Sequence, residues 1–526
     1  MEAVHTDEGA GSGKFAALVR WLGLCLGPVL ALVVHMALPH DVRDEAGRII
    51  SGLSWEGRAA AAVGVWMITW WLTEAIPLEA TSLLPIAVFP LLNIMPIKAA
   101  AAPYADDVIF LFMGGMFLGA AMEKWGLHRR VALRVVGVVG TKPVRVVGGF
   151  LLACALVSMW VSNTATAVMM LPVAVSVLTI SRSALDAAGA EGERHRAHFH
   201  QFAAALLLAI AYGSTIGGIG TLIGTPPNIV LANFVSKTFG QDISFMRWAA
   251  LGVPLMLVFL PLAWCVLTRI AFRVTSEEIP GVRQEIERNL QGLGRMSRGE
   301  KTVLAIFIIA ASSWMLREPL GELAGVIRRL PDGRKVELLT DAGIAVIASL
   351  LLFITPVHAA RREFALDWHT ASRIPWGILL MFGGGLSLTA AMTQHGADVY
   401  IGSLLSGLGG MHPLLVILLF CAAVVFASEF AGNTALATAV MPIAAAVAGP
   451  LGVHPYLLVF PAAMAASYAF MMPMGTPPNA IVFGPGLLHV SQMAKAGLML
   501  NLVAILLISL IGYWLLPIVF PVAAVP

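Results

Sequence analysis

Charged side chains are scarce in this sequence. Only 12% of its 526 residues are Asp, Glu, Lys or Arg, whereas about 25% is usual in a soluble domain. Hydrophobic residues make up 58% of the chain, and the mean hydropathy is +0.85. This composition excludes an ordinary soluble globular protein and indicates a protein that spans a lipid bilayer.

Cysteine is also rare, and all four cysteines lie in apolar segments: Cys25, Cys154, Cys265 and Cys421. No two of them have the short spacing of a metal-binding motif or of a disulfide framework. We therefore expect small packing residues. A net charge of only +3 leaves no basic stripe along the chain, which excludes nucleic acid as a partner.

Several apolar segments approach the roughly 20 residues that a helix needs to cross the hydrocarbon core. They are 21–38, 59–76, 79–97, 103–122, 246–271, 340–357 and 495–521. Residues 1–20 are acidic and rich in Gly, with no cleavage site after a short apolar core. We therefore predict a cytoplasmic tail at 1–20 and a true span after it.

The sequence contains one pattern twice. The segment FMGGMFLGAAMEKWG, starting at Phe112, aligns with FGGGLSLTAAMTQHG, starting at Phe382, and the same register places Asn163 on Asn433. The motif GTPPN also occurs twice, starting at Gly224 and at Gly475. Long internal repeats of this kind predict two copies of one structural unit.

The first copy is longer because of a polar insert near 182–200. The insert contains His195, His198 and His200. We expect a loop with solvated imidazoles there, with no role in metal binding or pH sensing.

The distribution of Lys and Arg indicates that the two repeats have opposite orientations. Residues 393–415 contain neither Lys nor Arg, whereas the equivalent residues 123–145 are basic. The basic residues are Lys124, Arg129, Arg130, Arg134, Lys142 and Arg145. Since positive loops remain in the cytoplasm, the first hairpin is predicted to enter from the cytoplasm and the second from outside. One segment disagrees, because residues 317–339 should be external yet contain several Arg and Lys residues.

These features predict an all-α polytopic membrane protein with two inverted repeats, re-entrant hairpins and broken helices. The predicted sections are a tail at 1–20, a first transmembrane helix and loop at 21–56, repeat 1 at 57–272, a basic cytoplasmic connector at 273–301, and repeat 2 at 302–526.

Two Asn-Thr motifs interrupt otherwise apolar segments. SMWVSNTATAVMMLPV at 158–173 and SEFAGNTALATAVMPI at 428–443 hold too many hydroxyl and amide groups for simple spans. A single motif of this kind is usually a contact between helices, but its recurrence in register favours a re-entrant hairpin. Non-helical backbone at membrane depth must be buried in protein or line a cavity. We predict that the two tips face each other near the midplane, where repeat transporters bind substrate.

The two GTPPN motifs predict helix breaks. A Pro-Pro pair removes two amide donors and disfavours helix before it, so the helices should break near Gly224 and Gly475. Unwound carbonyls with Ser, Thr and Asn oxygens suit a small cation, and half-helix N-termini suit a carboxylate. No Lys or Arg lies in these motifs, so a bound divalent anion needs helix dipoles, neutral donors and co-bound cations.

A few other residues have weaker signals. Glu429 lies beside the second tip, where hydrogen bonding is favoured over proton carrying, which stays open. Asp106 and Asp107 are expected to cap a helix at the interface. The glycine pairs at 114–115 and 383–385 are expected to allow close helix packing.

The motifs resemble those of the divalent anion/sodium symporter (DASS) family, which includes dicarboxylate, citrate and sulfate transporters. The resemblance is carried by TEAIPLEATSLLPI at 73–86, SNTAT at 162–166, NTA at 433–435 and both GTPPN motifs. It implies about eleven transmembrane helices, a homodimer, and a transport domain that moves as an elevator.

The resemblance also implies the site residues. The first sodium ion is held by Ser158, Ser162, Asn163 and Gly224, and the second by Ser428, Ala431, Asn433 and Gly475. Substrate contacts are implied for Ser162, Asn163, Thr164, Thr225, Pro226, Asn433, Thr434, Thr476 and Pro477. The sequence departs from the family at Gly432, where serine is usual, so one substrate hydroxyl is missing.

The expected function is sodium-coupled symport of C4-dicarboxylates such as succinate, malate or fumarate into the cytoplasm. Sodium ions are the co-transported cations, and no organic cofactor is expected. The expected location is a bacterial inner membrane, among lipids, with the N-terminus in the cytoplasm. A sodium-independent exchanger and a sulfate or tricarboxylate carrier stay open. An intramembrane enzyme is disfavoured because the motifs offer amides and hydroxyls instead of converging His, Glu or Asp, and an anion channel because cation cages imply occlusion.

Overall fold

A computed structural model describes residues 8–43, 49–140, 142–187, 190–275, 282–321, 325, 327–329, 335–397, 400 and 412–520. These residues are mostly helical, and their strands form three short antiparallel pairs. Eight of the described helical segments are long and apolar enough to cross a membrane. The predicted all-α polytopic class is confirmed.

The helices of the first half of the chain are Glu8–Ala37, Trp55–Thr73, Leu78–Thr81, Leu84–Leu91, Ile97–Ala101, Asp107–Trp125, Leu127–Val139, Pro143–Ser158, Asn163–Ala187, Ala190–Gly218, Pro226–Phe239 and Phe245–Cys265. A 3-10 turn covers Ala102–Ala105 and a π-helical turn covers Val266–Ile270. The strand Val42–Arg43 pairs with Ile49–Ser51.

The helices of the second half are Val282–Gly292, Arg298–Gly321, Asp341–Ile354, Trp368–Ala371, Trp376–Gln394, Pro413–Ser428, Asn433–Ala448, Tyr456–Ala466, Pro477–Phe483, Val490–Trp514 and Leu516–Val519. A 3-10 turn covers Ala359–Arg361. The strands pair Ile327–Arg329 with Lys335–Glu337 and Pro356–His358 with Glu363–Phe364.

Three sequence-based expectations are wrong in detail. Segment 79–97 is not one span, because Pro85 and Pro90 lie in it and the chain forms short helices separated by a turn. The insert near 182–200 is not a loop. Its described residues extend two helices, Asn163–Ala187 and Ala190–Gly218, because Ala, Glu and Arg favour helix. The first helix likewise begins at Glu8, within the segment predicted to be a tail.

The two repeats are inverted. Phe112 and Phe382, which are equivalent in the sequence alignment, contact each other with ring centroids 5.4 Å apart. Phe117, later in its helix, contacts Trp376, earlier in the equivalent helix, at 6.0 Å. The equivalent helices Asp107–Trp125 and Trp376–Gln394 therefore run antiparallel, as two repeats of opposite orientation require.

Glycine allows these helices to approach their neighbours closely. A Cβ atom at Gly114 would lie 2.6 Å from the Cβ of Ala345, and one at Gly384 would lie 2.5 Å from the carbonyl oxygen of Ser82. Both distances are too short for real contacts. The glycine pairs serve helix packing, as the sequence predicts.

The two basic segments lie at the same end of the molecule. Arg130 is buried and pairs with Glu300 at 2.5 Å, and its guanidinium donates to the carbonyl oxygens of Leu293 and Gly294 at 2.8 and 3.0 Å. This cluster joins the helix Leu127–Val139, which contains Arg130, to the end of the connector. Both segments therefore face one side, which agrees with the prediction that both are cytoplasmic.

Part of the basic segment at 317–339 has its charge neutralised. Arg317 pairs with Asp341 at 2.7 Å and also with Glu337. The side chains of Arg328, Arg329 and Arg334 lie outside the described residues. Because Arg317 is neutralised, the positive charge of this segment conflicts less with its predicted external position.

Candidate functional site

Two helical hairpins have the same construction. Hairpin 1 consists of Pro143–Ser158 and Asn163–Ala187, and hairpin 2 consists of Pro413–Ser428 and Asn433–Ala448. In each, proline begins the first helix, serine ends it, and asparagine begins the second. Proline suits the first turn of a helix because the missing N–H has no intrahelical partner there. The predicted tips are thus turns of four residues between two helices.

Each GTPPN motif spans the end of a helix break and the start of the next helix. Break 1 comprises residues 219–225 and break 2 comprises residues 467–476. Thr225 and Thr476 are extended, with φ of −145° and −141°, and the next residue begins a new helix in each case. Both predicted breaks are therefore present, and proline occupies the first two positions of each new helix.

The asparagine that ends each GTPPN motif holds the break together. Asn228 Nδ2 donates to the carbonyl oxygens of Gly218 and Thr221 at 3.0 and 2.8 Å. Asn479 Nδ2 donates in the same way to Ala469 and Met472, at 2.9 and 3.0 Å. Both side chains are fully buried. The sequence reasoning missed this role, although the recurrence of the fifth motif residue was its signal.

The tip of hairpin 1 contacts break 1. Ser158 Oγ donates to Asn163 Oδ1 at 2.5 Å, and the hydroxyl of Thr221 donates to the carbonyl oxygen of Met159. A Cβ atom at Gly218 would lie 2.8 Å from Asn163 Oδ1, so the amide approaches the backbone where the helix ends. The structure thus brings together Ser158, Asn163 and the break that contains Gly224.

The tip of hairpin 2 contacts break 2 through different bonds. Asn433 Nδ2 donates to the carbonyl oxygen of Ser467 at 3.1 Å. Ser428 Oγ donates to the carbonyl oxygen of Tyr468 at 2.9 Å. The second serine and the second asparagine therefore both bond to the unwound backbone, whereas in repeat 1 the equivalent pair bond to each other.

Several buried side-chain oxygens around break 2 have no partner among the described residues, including Tyr468 Oη and Asn479 Oδ1. Asn433 Oδ1 and Thr476 Oγ1 are buried without a hydrogen bond to any part of the chain that the structure describes. An unsatisfied buried polar group costs about 1–3 kcal/mol. Such groups are expected to have partners in a working protein. Neutral oxygens suit a small hard cation, so the donor set agrees with the implied sodium site.

The remaining predicted residues differ in their exposure. Ser162, Thr164 and Pro477 are exposed. Pro226, Ala431 and Thr434 are partly buried. A Cβ atom at Gly224 would lie 2.4 Å from the carbonyl oxygen of Gly218, and one at Gly475 would lie 3.1 Å from Glu429 Oε2. Both glycines are therefore in close contact with the polar groups of their own break.

Gly432 is not required by the backbone or by packing. Its φ of −61° and ψ of 130° are ordinary for any residue, and a Cβ atom there would meet nothing within 4 Å. In repeat 1 the equivalent Ser162 Oγ accepts from the N–H of Ala165 at 3.2 Å. Gly432 cannot cap its helix in this way. The substitution therefore removes a hydroxyl and leaves open space.

Glu429 is a buried anchor for break 2. Its carboxylate is 1% exposed and accepts from the backbone N–H groups of Phe470, Met471 and Met472 at 2.8 to 3.0 Å. Asn501 Nδ2 donates to it as well, at 2.7 Å. Successive N–H groups around one anion form a backbone nest. The structure thus favours the hydrogen-bonding interpretation of Glu429 over proton carrying, because N–H donors surround both oxygens.

Asp106 caps a helix, as the sequence predicts. Its carboxylate accepts from the N–H of Val108 at 3.3 Å. Asp106 also pairs with Lys237 at 2.5 Å, which the sequence alone did not indicate. Lys237 lies in the last turn of the half-helix after break 1, so this ion pair ties that half-helix to the helix that begins at Asp107.

The two repeats exchange contacts around the breaks. The half-helix Pro226–Phe239 of repeat 1 packs on Asn433–Ala448 of hairpin 2, and Pro477–Phe483 of repeat 2 packs on Asn163–Ala187 of hairpin 1. Each half-helix therefore contacts the hairpin of the other repeat. This arrangement joins both tips and both breaks into one continuous group of elements.

Replacing Glu429 by glutamine should destabilise the protein. The new amide group cannot accept from all the N–H groups that now surround the carboxylate, and each buried donor left without an acceptor costs about 1–3 kcal/mol. We expect a lower melting temperature in detergent, measured by scanning fluorimetry. Glu287→Gln is the control, because Glu287 is exposed and pairs with Arg283 on the connector. A Glu429→Gln protein that melts like the wild type would contradict the anchoring role.

Comparison with known proteins agrees with this geometry. The family model described as the sodium:sulfate symporter transmembrane region matches residues 29–520. The sodium-dependent dicarboxylate transporter SdcS of Staphylococcus aureus strain bovine RF122 / ET3-1 is 39% identical over 500 residues, which cover 95% of this chain and 91% of SdcS. SdcS of strain MRSA252 has the same identity and coverage.

Two solved structures share the fold. The YdaH transporter of Alcanivorax borkumensis matches with a TM-score of 0.55 and 14% identity, covering 97% of this chain and 99% of YdaH. MtrF of Neisseria gonorrhoeae, described among antimetabolite efflux pumps, matches with a TM-score of 0.55 and 15% identity, covering 95% of this chain and 97% of MtrF. At such identities the likeness concerns the fold alone. The family match, together with the hairpins and GTPPN breaks, confirms the resemblance inferred from the motifs: the chain belongs to the sodium:sulfate symporter family.

Proposed function

We propose that this protein is a secondary active transporter that carries a C4-dicarboxylate, such as succinate, malate or fumarate, into the cytoplasm together with sodium ions. The SdcS relatives are named as sodium-dependent dicarboxylate transporters, and their identity of 39% extends over 95% of this chain. Such coverage supports the same substrate class and the same coupling ion. The protein carries its substrate unchanged and is no enzyme.

The single observation that carries the proposal is the contact of each hairpin tip with the helix break of its own repeat. Asn163 lies against Gly218, and Asn433 donates to the carbonyl oxygen of Ser467. Each contact places side-chain oxygens beside unwound carbonyls. A cation held between tip and break would order both, and its charge would then favour an anion beside it.

The first proposed sodium site consists of Ser158, Ser162, Asn163 and Gly224, and the second of Ser428, Ala431, Asn433 and Gly475. The unpartnered Oδ1 of Asn433 supports the second site. The proposed substrate contacts are Ser162, Asn163, Thr164, Thr225, Pro226, Asn433, Thr434, Thr476 and Pro477.

The half-helix N-termini contribute less hydrogen bonding than other helix ends. Proline occupies the first two positions of both half-helices, so two N–H donors are missing from each. Their dipoles still favour negative charge. The donors to a carboxylate therefore have to come from the hydroxyls and amides of the tips, including the exposed hydroxyls of Ser162 and Thr164.

We also propose the organisation that the family resemblance implies. The protomer has about eleven transmembrane helices, forms a homodimer in a bacterial plasma membrane, and has its N-terminus in the cytoplasm. The sections are 1–20, 21–56, 57–272, 273–301 and 302–526. Hairpins 1 and 2, with their breaks, belong to a transport domain that moves as an elevator.

Sodium-independent dicarboxylate exchange and transport of sulfate or a tricarboxylate are the alternatives. The description of the family model names sulfate. Glycine in place of serine at position 432 removes a hydroxyl from the proposed substrate site. Both facts concern the anion, so the choice among substrates needs a direct competition measurement.

Proteoliposomes separate these functions. Uptake of labelled succinate should rise with an inward sodium gradient and accumulate against the succinate gradient. Replacing sodium with choline should abolish it, because the anion site then lacks its neutralising cations. Uptake that persists in choline and depends on internal dicarboxylate would contradict symport. Stronger competition by sulfate or citrate than by malate would contradict the C4-dicarboxylate assignment.

Replacing Asn163 or Asn433 by alanine should reduce sodium-coupled uptake at least about a hundredfold. Each change removes a tip oxygen from a proposed sodium site and a donor from the substrate site. The control is Asn289→Ala, since Asn289 lies on the connector helix Val282–Gly292. All three variants should elute as folded protein from a sizing column in detergent. Normal uptake by either tip variant would remove that residue from the site.

Replacing Gly432 by serine should alter the preference among substrates without altering stability. The new hydroxyl fits open space, and serine and glycine differ as helix caps by only a few tenths of a kcal/mol. One added hydrogen bond to the anion predicts a KM for succinate about three- to tenfold lower. Gly449→Ser is the matched control, because a Cβ atom at Gly449, immediately after hairpin 2, also meets nothing within 4 Å. If the ratio of the KM for succinate to the KM for citrate is the same in Gly432→Ser, in Gly449→Ser and in the wild type, position 432 does not select the anion.

A further inference from the structure

A cavity separate from the proposed transport site opens between the ends of three helices. It has a volume of about 440 Å³ and is lined by His198, Gln201, Ile270, Ala271, Arg273 and Lys495. His198 and Gln201 come from the helix Ala190–Gly218, Arg273 follows the π-helical turn Val266–Ile270, and Lys495 lies near the start of Val490–Trp514. The cavity contains none of the residues of the two hairpin tips or the two breaks.

Two of the lining side chains, Arg273 and Lys495, are cations. Arg273 and Lys495 are exposed, and neither forms an ion pair with a residue in the described ranges. This differs from Arg130 and Arg317, which pair with Glu300 and Asp341. Two cations that line one cavity from separate segments of the chain create a positive potential that attracts an anion.

The cavity lies at the predicted cytoplasmic end of the helices. Arg273 is the first residue of the basic connector at 273–301, and the end of that connector is bonded to Arg130. The chain forms a π-helical turn just before Arg273, with the N–H of Ala271 bonded to the carbonyl oxygen of Val266 at 2.8 Å. Helical irregularities of this kind are frequent at functional sites.

An apolar stripe runs from the cavity toward the middle of the membrane. Leu498, Leu502 and Leu506 are 40%, 55% and 51% exposed. They lie three, seven and eleven residues after Lys495, so all four side chains share one face of their helix. Ile270, at the rim of the cavity, is 55% exposed. The same helix face thus offers a cation at the cytoplasmic end and hydrocarbon contacts above it.

We propose that this cavity binds the phosphate group of an anionic phospholipid, with one acyl chain along Leu498, Leu502 and Leu506. Arg273 and Lys495 pair with the phosphate, and the amide of Gln201 donates to a headgroup oxygen. The cytoplasmic leaflet is rich in anionic lipid, and basic pockets between transmembrane helices on that side suit such headgroups. A free phosphate ion offers the same charge without the acyl chain, so the stripe distinguishes the lipid from the ion.

Native mass spectrometry of the delipidated full-length protein in detergent tests this proposal. The protein is titrated with phosphatidylglycerol, with phosphatidylcholine and with inorganic phosphate. The variant Arg273→Gln/Lys495→Gln removes both charges and keeps most of each side chain. The matched control is Arg298→Gln/Lys301→Gln, which removes one exposed Arg and one exposed Lys at the end of the connector.

The wild type and the control should bind phosphatidylglycerol equally, and the Arg273→Gln/Lys495→Gln protein about tenfold or more weakly, because each Lys or Arg near the surface contributes to attraction of anionic lipid. Arg273→Lys/Lys495→Arg, which keeps both charges, should bind like the wild type. Equal binding of phosphatidylglycerol by the wild type and the Gln variant would overturn the proposal. Equal affinity of the wild type for phosphatidylcholine and phosphatidylglycerol would also overturn it. So would binding of inorganic phosphate alone that displaces phosphatidylglycerol at equal concentration.

Discussion

The constraint on which this structure depends is that no backbone polar group can be left unsatisfied at membrane depth. The two breaks leave backbone N–H and carbonyl groups without helical partners, and buried side chains form hydrogen bonds with them. Asn228 and Asn479 each bind two carbonyl oxygens of their break. Glu429 binds three successive N–H groups of break 2. Because these bonds hold the breaks in one shape, the remaining carbonyls and tip oxygens can be positioned for a cation.

The two repeats solve this problem differently. In repeat 1 the hydroxyl of Thr221, in the break, donates to the backbone of Met159, at the tip. Superposing the repeats places Met159 on Glu429 and Thr221 on Met472. In repeat 2 the break again donates and the tip accepts, but the donor is now a backbone N–H and the acceptor is a side chain. The cost is a buried negative charge at one site only, which makes the two proposed cation sites electrostatically unequal.

This inequality bears on the proposed transport cycle. A fixed carboxylate beside Gly475 favours a cation near the second tip, even though N–H groups already surround its oxygens. The first tip has no such charge, but it keeps Ser162, which caps its own helix. A dicarboxylate between the tips would therefore meet different partners at its two ends. The cavity lined by Arg273 and Lys495 lies apart from this group.

The sequence alone determined those features of the fold that depend on local residue patterns. The repeat, the breaks and the hairpins could be predicted because Pro-Pro, small polar residues and basic loops act locally, through backbone chemistry and the preference of positive charge for the cytoplasm. The loop predicted at the polar insert and the span predicted at 79–97 were wrong, since hydropathy does not separate a long helix from a turn. Only the tertiary structure decided the roles of Asn228, Asn479 and Glu429, the ion pair of Asp106 with Lys237, and the cavity that Arg273 and Lys495 both line. Those residues lie in separate segments of the chain, so their proximity depends on how the helices pack.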